Sequence, residues 1–461
     1  FKQLLYKKYV TMKRLQNNDY CYSKKHKCFT LKNVNKLDCF NEDEDLADIE
    51  QKYSGIFTGN RIKYEFANTS QLLFETTNAC NLKCEYCAYG ELYNNYGTRE
   101  RDFLTFPKAK NLIDFYINLS SLLKSHNKKL SIGFYGGEPL LNFKLIQEVI
   151  DYVDNIIPDC KFSMTTNGTL LNKYIDYIVE KKFNLLISLD GNFKNNSFRV
   201  YQNGLTSFPS VFKNIKILQL KYSNYFQSCV NFSAVLHSRN SISEIIEFFK
   251  SEFDKVPKIS ELSPVGIKED KEYLYNQNFK NINNSLNSAN NVQELIEVMD
   301  VDVPARRALA YFLFDHSGNV FKSYNDLFNN QLIVKFPTAT CEPFSRKVFL
   351  SAKGKLYPCE RIGQTLDYGE VTESVVNIDF ESIAFRHNEY YKKIKSQCFK
   401  CGLLDVCTKC MLQMIEKDSN PKCKSMIIND KLFQEYSAFQ LSFLEKEPDL
   451  FNHIWETYNF E

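Results

Sequence analysis

The chain has 461 residues, 44% hydrophobic and 15% aromatic, which is enough for a large core and more than one domain. Its 58 Lys and Arg against 55 Asp and Glu leave a net charge of +3 with both signs interspersed, so no one-signed arm for nucleic acid is present. The opening FKQLLYKKYVTMKRLQNN is too rich in lysine for a secretory signal and no later run reaches the length of a membrane span, so fifteen cysteines point to a cytoplasmic protein that uses free thiols for metal binding or catalysis.

In chain order, DYCYSKKHKCFTLKN alternates like a hairpin around a basic turn, and NEDEDLADIEQKYSGIF opens with acidic residues suited to a helix start. Cys21, Cys28, Cys39 and His26 are poorly spaced for zinc and read as structural thiols. From residue 71 to about 270, the runs QLLFETT, LSIGFYGGE, KFSMTTNG, NLLISLDG, QSCVNFSAVL and ISELSPV read as strands. Between them, PKAKNLIDFYINLSSLLK, LNFKLIQEVIDYVDNII and SISEIIEFFK carry helical spacing, and six βα units fit. Cys160 and Cys229 fall in strand contexts and read as core. NQNFKNINNSLNSANNVQ reads as a surface excursion or linker, followed by amphipathic PARRALAYFLF, which together make a bridge over 271–335. KLFQEYSAFQLSFLEK, within 431–461, reads as a C-terminal packing helix.

Parallel strands joined by crossover helices place their functional loops beyond the carboxyl ends of the strands. Cys80, Cys84 and Cys87 follow the first strand, Gly136, Gly137 and Glu138 end the second, Thr166, Asn167 and Gly168 the third, and Ser188 to Gly191 the fourth. One ligand placed there touches all four loops. A structural zinc ion takes four protein ligands and a four-iron cluster one thiolate per iron, so three cysteines in a C-x3-C-x2-C arrangement imply a vacancy. A partial zinc site competes for this spacing taken alone, and TTNG alone is also a plain turn.

The C-x3-C-x2-C loop, Tyr86 before its last cysteine and the GGEP that follows resemble the radical S-adenosylmethionine (SAM) superfamily. The resemblance implies that Cys80, Cys84 and Cys87 hold three irons of a [4Fe–4S] cluster and that SAM chelates the fourth. One electron then cleaves SAM to methionine and a 5′-deoxyadenosyl radical that takes hydrogen from the substrate. By the same resemblance Glu138 contacts the methionyl amino group, Ser188 and Asp190 the ribose or methionyl end, and Arg199 the carboxylate. Gly136 and Gly137 allow close backbone approach. The loop after SLDG departs from the family pattern at Asn192 and at the pair Asn195 and Asn196.

Seven further cysteines lie between residues 341 and 423: Cys341, Cys359, Cys398, Cys401, Cys407, Cys410 and Cys423. As bare spacing, the paired CxxC units also suit zinc knuckles. Behind a radical SAM barrel they resemble the SPASM domain, which carries two auxiliary [4Fe–4S] clusters. That resemblance assigns Cys398, Cys401, Cys407 and Cys423 to the second auxiliary cluster. It assigns Cys341, Cys359 and Cys410 to the first, one ligand short and therefore open to substrate or a non-cysteine ligand. Glu360, directly after Cys359, stands where sulfatase-maturating relatives carry an acid that takes the substrate proton; the alternative is a solvated loop Glu.

The expected architecture is α/β: a partial (β/α)6 radical SAM barrel over 71–270, a small N-terminal α+β module over 1–70 and a C-terminal cysteine-rich SPASM domain over 336–430. The N-terminal segment loosely resembles modules that grip a leader peptide. The expected function is radical modification of a ribosomally synthesised precursor peptide by an intrapeptide crosslink, with a flavodoxin- or ferredoxin-type reductant and neither nucleic acid nor membrane as partner. The enzymatic alternative is oxidation of a sulfatase Cys or Ser to formylglycine. The alternative of another class is a zinc-containing, non-catalytic peptide-binding protein.

Overall fold

The computed structural model describes residues 10–11, 20–23, 28–31, 53–94, 100–123, 130–157, 159–264, 266–299, 336–364, 366–401, 404, 407, 409–414 and 423. They divide into two compact units, one of Phe1–Thr58, Val303–Glu342 and Ala384–Glu461, the other of Gly59–Asp302 and Pro343–Ile383. In the first unit, β1 (Val10–Thr11), β2 (Tyr20–Ser23) and β3 (Cys28–Leu31) form an antiparallel sheet with Tyr20 opposite Leu31 and Ser23 opposite Cys28. This is the hairpin that the alternation of DYCYSKKHKCFTLKN predicts. Elsewhere in that unit Phe57 stacks on Phe336 at 4.2 Å, and the Asn388 amide accepts from Phe57 N and donates to Phe57 O, both at 2.9 Å.

The second unit is built on β4 (Gln71–Thr77), β5 (Ser131–Gly136), β6 (Lys161–Thr166), β7 (Asn184–Ser188), β8 (Val230–Leu236) and β9 (Lys258–Glu261), parallel and in consecutive order. Helices Phe106–Leu122, Phe143–Asp154, Leu171–Glu180, Phe208–Lys221 and Ile242–Phe253 are the crossovers. Six of the seven β4 residues are buried, as befits a strand covered on both faces. Phe74 lies opposite Phe134 with ring centroids 6.4 Å apart, and Phe134 passes the contact to Phe183 at 5.9 Å. At the other side of the sheet Phe232, 1% exposed, packs between Phe249 at 4.8 Å and Phe253 at 4.9 Å. Ser241 caps the last crossover helix, its hydroxyl accepting from Glu244 N and donating to Glu244 Oε2.

The strand order ends at β9, which pairs with β8 and not with β4, so the six parallel strands form a partial rather than a closed (β/α)6 barrel. On the β4 side the sheet continues through β10 (Val348–Leu350), β11 (Lys355–Tyr357), β12 (Gly369–Val371) and β13 (Val376–Asn377). β10 runs parallel to β4 with Val348 opposite Leu72, and the later strands are antiparallel. The sequence reading places all of 336–430 in one C-terminal domain, whereas Pro343–Ile383 extends the barrel sheet instead. β10 satisfies the backbone of the β4 edge, and Leu73, Phe349 and Tyr357 with Tyr135 make an apolar contact that fixes it.

Two other expectations change. The run QSCVNFSAVL begins as helix Ser223–Cys229 and becomes strand only at Val230. The Asn- and Ser-rich stretch, read as a surface excursion or linker, is helical: Glu272–Asn278, Ile282–Asn287 and Val292–Met299 run through it, burying Ile282 and Leu286 within it and Tyr275, Leu295 and Met299 beside it. Its asparagines act at helix starts, Asn281 accepting from Asn284 N. The acidic helix start before residue 53, PARRALAYFLF and KLFQEYSAFQLSFLEK lie outside the described residues. Among the described residues no helix is long and apolar enough to cross a membrane.

Truncating Phe232 to Ala removes the ring on which Phe249 and Phe253 close and is expected to lower stability by about 3–5 kcal/mol, measured as a fall in the denaturant midpoint of the full chain.

Candidate functional site

The loop leaving β4 carries Cys80, Cys84 and Cys87, all half-buried. Its start is pinned to the end of β5, Gly137 N donating to Thr77 O at 2.8 Å and Glu138 N to Ala79 O at 2.9 Å. A Cβ on Gly137 would lie 2.0 Å from the Ala79 carbonyl oxygen, and one on Gly136, at φ +131°, 2.2 Å from Thr77 O. These glycines therefore serve the approach of loop to strand. Burial pushes the Cys84 thiol up to about 12; Arg199 opposes this, and the neighbouring Cys87 and Cys80 add to it. Cys84 thus lies within the field of both other thiols. Among the described residues no three His, Cys, Asp or Glu groups converge on one ion.

Glu138 is fully buried. Its Oε1 accepts from Thr166 Oγ1 at 2.7 Å and Leu140 N at 3.1 Å, and its Oε2 from Asn167 N at 2.7 Å. A carboxylate offers about four acceptor positions, so among the described residues one position on Oε2 remains. Burial raises its pKa to about 7 against the pull of those three donors. Asn167 continues the chain: its Nδ2 reaches Cys80 Sγ at 3.7 Å and Asn81 Oδ1 at 2.9 Å, and its Oδ1 accepts from Thr169 N at 3.0 Å. Cys80 Sγ also accepts from Leu82 N at 3.4 Å. Donors on a sulfur and an incompletely filled carboxylate fit a cluster-bearing loop beside a site for a cationic amine.

Asp190 is arranged differently from its sequence assignment. It is fully buried, and its Oδ1 accepts from Arg199 Nη2 and Val235 N, both at 2.9 Å. Its Oδ2 accepts from Arg199 Nε at 3.0 Å and from the Tyr86 hydroxyl. Four donors fill its acceptor capacity, leaving no position for a ribose hydroxyl. Burial alone would raise its carboxyl; the Arg199 guanidinium, with His237, overrides that and holds it at about 2. Arg199, expected on a SAM carboxylate, spends its Nε and one Nη2 donor on Asp190. The departures from the family pattern complete this loop: Asn196 Oδ1 accepts from Asp190 N, and Asn192 and Asn195 bond reciprocally across Phe193 and Lys194. Ser188 ends β7, half-buried, opposite Ser233.

Glu360 has Lys347 Nζ on both oxygens, at 3.1 and 3.0 Å, with Arg361 Nε at 3.7 Å. It is an ion-paired side chain, not a solvated one. Lys347 precedes Val348, which pairs with Leu72, so this pair stands near the amino ends of the strands. The cysteine loop leaves the other end at Thr77, roughly 17 Å away at about 3.3 Å per strand residue.

In the first unit, burial pushes the Cys398 thiol up to about 12, with Cys407, Cys401 and Cys423 adding to it, so these four lie together. Burial also raises Cys410; Leu412 N and Thr340 oppose this, and Cys341 adds to it. Cys359 belongs to the second unit.

Sequence reasoning passed over Glu75, His237 and Gln202. Glu75 is a buried charge inside an apolar strand run, itself a signal; it accepts from Tyr89 O–H at 2.7 Å and Ala352 N at 2.9 Å. His237, fully buried with Nε2 3.7 Å from Asp190 Oδ2, has no local pattern that marks it.

Residues 74–250 match the Radical SAM superfamily. An uncharacterised protein of Methanocaldococcus jannaschii is 38% identical over 151 residues, 32% of this chain and 48% of the relative, so the chain spans about half the length of that relative. The radical SAM cyclopropyl synthase TigE of Paramaledivibacter caminithermalis is 23% identical over 91% of this chain and 80% of its own length. A cysteine-type anaerobic sulfatase-maturating enzyme of Clostridium novyi is 26% identical over 84% of this chain and 97% of its own length. Among solved structures, native anSMEcpe with bound AdoMet superposes with a TM-score of 0.53 at 18% identity, covering 84% of this chain and 100% of that one, a likeness of fold.

The buried Glu138 carboxyl makes a pH prediction. Its folded pKa of about 7 exceeds its ordinary value of 4.5, so between these the folded chain holds a proton that the unfolded chain has released. Stability then falls as pH rises from about 4.5 to 7, by on the order of 3 kcal/mol, and stays lower above. Denaturant midpoints across pH 4.5–8 are expected to show this fall in the wild-type chain and a flatter profile in Glu138→Gln.

Proposed function

With residues 74–250 a domain of the radical SAM superfamily and the chain an enzyme related to SAM-dependent radical catalysts, we propose that it modifies a ribosomally synthesised peptide by forging an intrapeptide crosslink. The observation that carries the SAM site is the grouping of Cys80, Cys84 and Cys87 beside a buried Glu138 with one acceptor position left. Those thiolates would hold a [4Fe–4S] cluster, which when bound would supply the electron for splitting SAM and so the radical that takes hydrogen from the peptide.

The chain's own residues orient and shield this chemistry. Thr166 Oγ1 and Asn167 N hold Glu138 so that its remaining lone pair receives the methionyl ammonium, and ionisation of Glu138 favours that cation. Ser188 supplies a hydroxyl at the end of β7. Cys398, Cys401, Cys407 and Cys423 would hold one auxiliary [4Fe–4S] cluster, and Cys341 and Cys410 would supply thiolates to another. An auxiliary cluster, when bound, would accept the electron that a new bond releases. Glu360, beside Cys359 and bound by Lys347 at the far end of the strands, would take up a proton released there and not at the radical itself. The N-terminal hairpin belongs to a leader-binding module, and a flavodoxin or ferredoxin supplies electrons.

A relative named for cyclopropyl synthesis, hence for closing a carbon–carbon bond, aligns with 91% of this chain and supports the bond-forming reading. The second reading, formylglycine formation on a sulfatase, is favoured by the sulfatase-maturating relative that this chain covers to 97% of its length.

Anaerobic incubation of reconstituted enzyme, SAM and reductant with the short peptide encoded beside its gene is expected to give a product lighter by two hydrogens, with fragments absent between the joined residues. An unchanged peptide alongside released 5′-deoxyadenosine rejects that substrate and points to sulfatase-type proteins. Cys84→Ala is expected to abolish 5′-deoxyadenosine release while circular dichroism stays native; wild-type release from that variant would sink the SAM assignment.

A further inference from the structure

The segment Phe198–Gln202 lies along the back of the cysteine loop. Lys83 N donates to Val200 O at 2.7 Å, Glu85 N to Phe198 O at 3.3 Å, and Leu82 bridges to Tyr201. Gln202 Nε2 donates to the carbonyls of Cys80 and Leu82 at 3.3 and 3.1 Å. Below this contact, Tyr86, which separates Cys84 from Cys87 in the chain, reaches through to Asp190 with its hydroxyl. Its ring stacks on His237 at 5.7 Å and 25°, and the Arg199 guanidinium lies 5.4 Å from its face. Arg199 and Val235 N fill the other acceptor positions of Asp190. One carboxylate thereby ties the middle of the cysteine loop, its backing segment and β8 to the end of β7.

We propose that Asp190 is a positioning residue: through Tyr86 and Arg199 it locks the Cys84–Cys87 half of the loop against Phe198–Gln202, so that the thiols are held in place before any cluster is bound. The loop's own backbone supplies few bonds of its own, Cys87 N to Cys84 O and Gly90 N to Cys87 O, and a turn so short has little stiffness unless side chains anchor it. Asp190 is held on all four acceptor positions, so it has one orientation to offer. His237 closes the aromatic side of the lock, and Gln202 holds the Cys80 side.

The proposal rests on the reading of this loop as the cluster site, but its test does not require a cluster. The full-length chain, reduced and stripped of iron, is pulsed with iodoacetamide, and each cysteine is quantified by mass spectrometry. Cys229, just ahead of β8 and so at the opposite end of the strands, serves as the reference. Tyr86→Phe and Gln202→Ala are each expected to raise labelling of the loop thiols severalfold over Cys229, Tyr86→Phe mainly at Cys84 and Cys87 and Gln202→Ala mainly at Cys80. Asp190→Asn is expected to raise Cys84 and Cys87 tenfold or more. Wild-type labelling at Cys84 and Cys87 in Tyr86→Phe overturns the lock, as does a rise that Cys229 shares, which signals general loosening. Should Asp190→Asn fail to fold, Tyr86→Phe alone decides. Iron content and 5′-deoxyadenosine release of the wild-type chain test the cluster reading independently.

Discussion

A carboxylate sealed from water must have its lone pairs met by protein donors, and three such carboxylates hold together the end of the barrel where the cysteine loop sits. Glu75 accepts from Tyr89 and Ala352, Glu138 from Leu140, Thr166 and Asn167, Asp190 from Tyr86, Arg199 and Val235. Each joins strands or loops that are distant in sequence, so the loop geometry follows from satisfying buried charge rather than from local turn preference. The difference in how far each is satisfied separates their uses. Asp190 has its acceptor positions filled by protein donors, while Glu138 keeps a position that a cationic group can take.

Much of this was legible in the residues. The six strands, the crossover helices and the placement of Cys80, Cys84, Cys87 and Glu138 at adjacent strand ends follow from period-two and helical spacing together with the crossover rule. What escaped is pairing between residues far apart in the chain. SLDG marks Asp190 as lying at a strand end but says nothing of whether its oxygens face a ligand or Arg199. GGE marks a tight approach but not that the approaching partner is the Ala79 carbonyl. The asparagine-rich stretch reads as a linker by composition, yet Asn281 works as a helix cap and Ile282 and Leu286 are buried, because capping and packing outweigh a low mean hydropathy.

The hairpin carrying Cys359 also shows a limit of composition. Cysteine spacing groups it with the later thiols, but its strands are apolar and complete the exposed edge of β4, and edge satisfaction governs where the segment lies. Glu360 follows from the same placement. The turn after β11 brings it against Lys347 ahead of β10, so its charge is compensated at the amino ends of the strands while the SAM-type chemistry is expected at the carboxyl ends.

β4 acts as a ruler between these two ends. One of its neighbours, β5, carries Glu138; the other, β10, leads to Cys359 and Glu360, and both are in register with it. Side-chain substitution can alter the chemistry at either end of this span but cannot change its length. Inserting or deleting a single strand residue would also turn the lining face of β4 outward, so the gap between the two ends can change only in two-residue steps of roughly 7 Å. Reach and lining chemistry are therefore quantised together, and a family built on this sheet would diversify its substrates by what lines the gap far more readily than by how long the gap is.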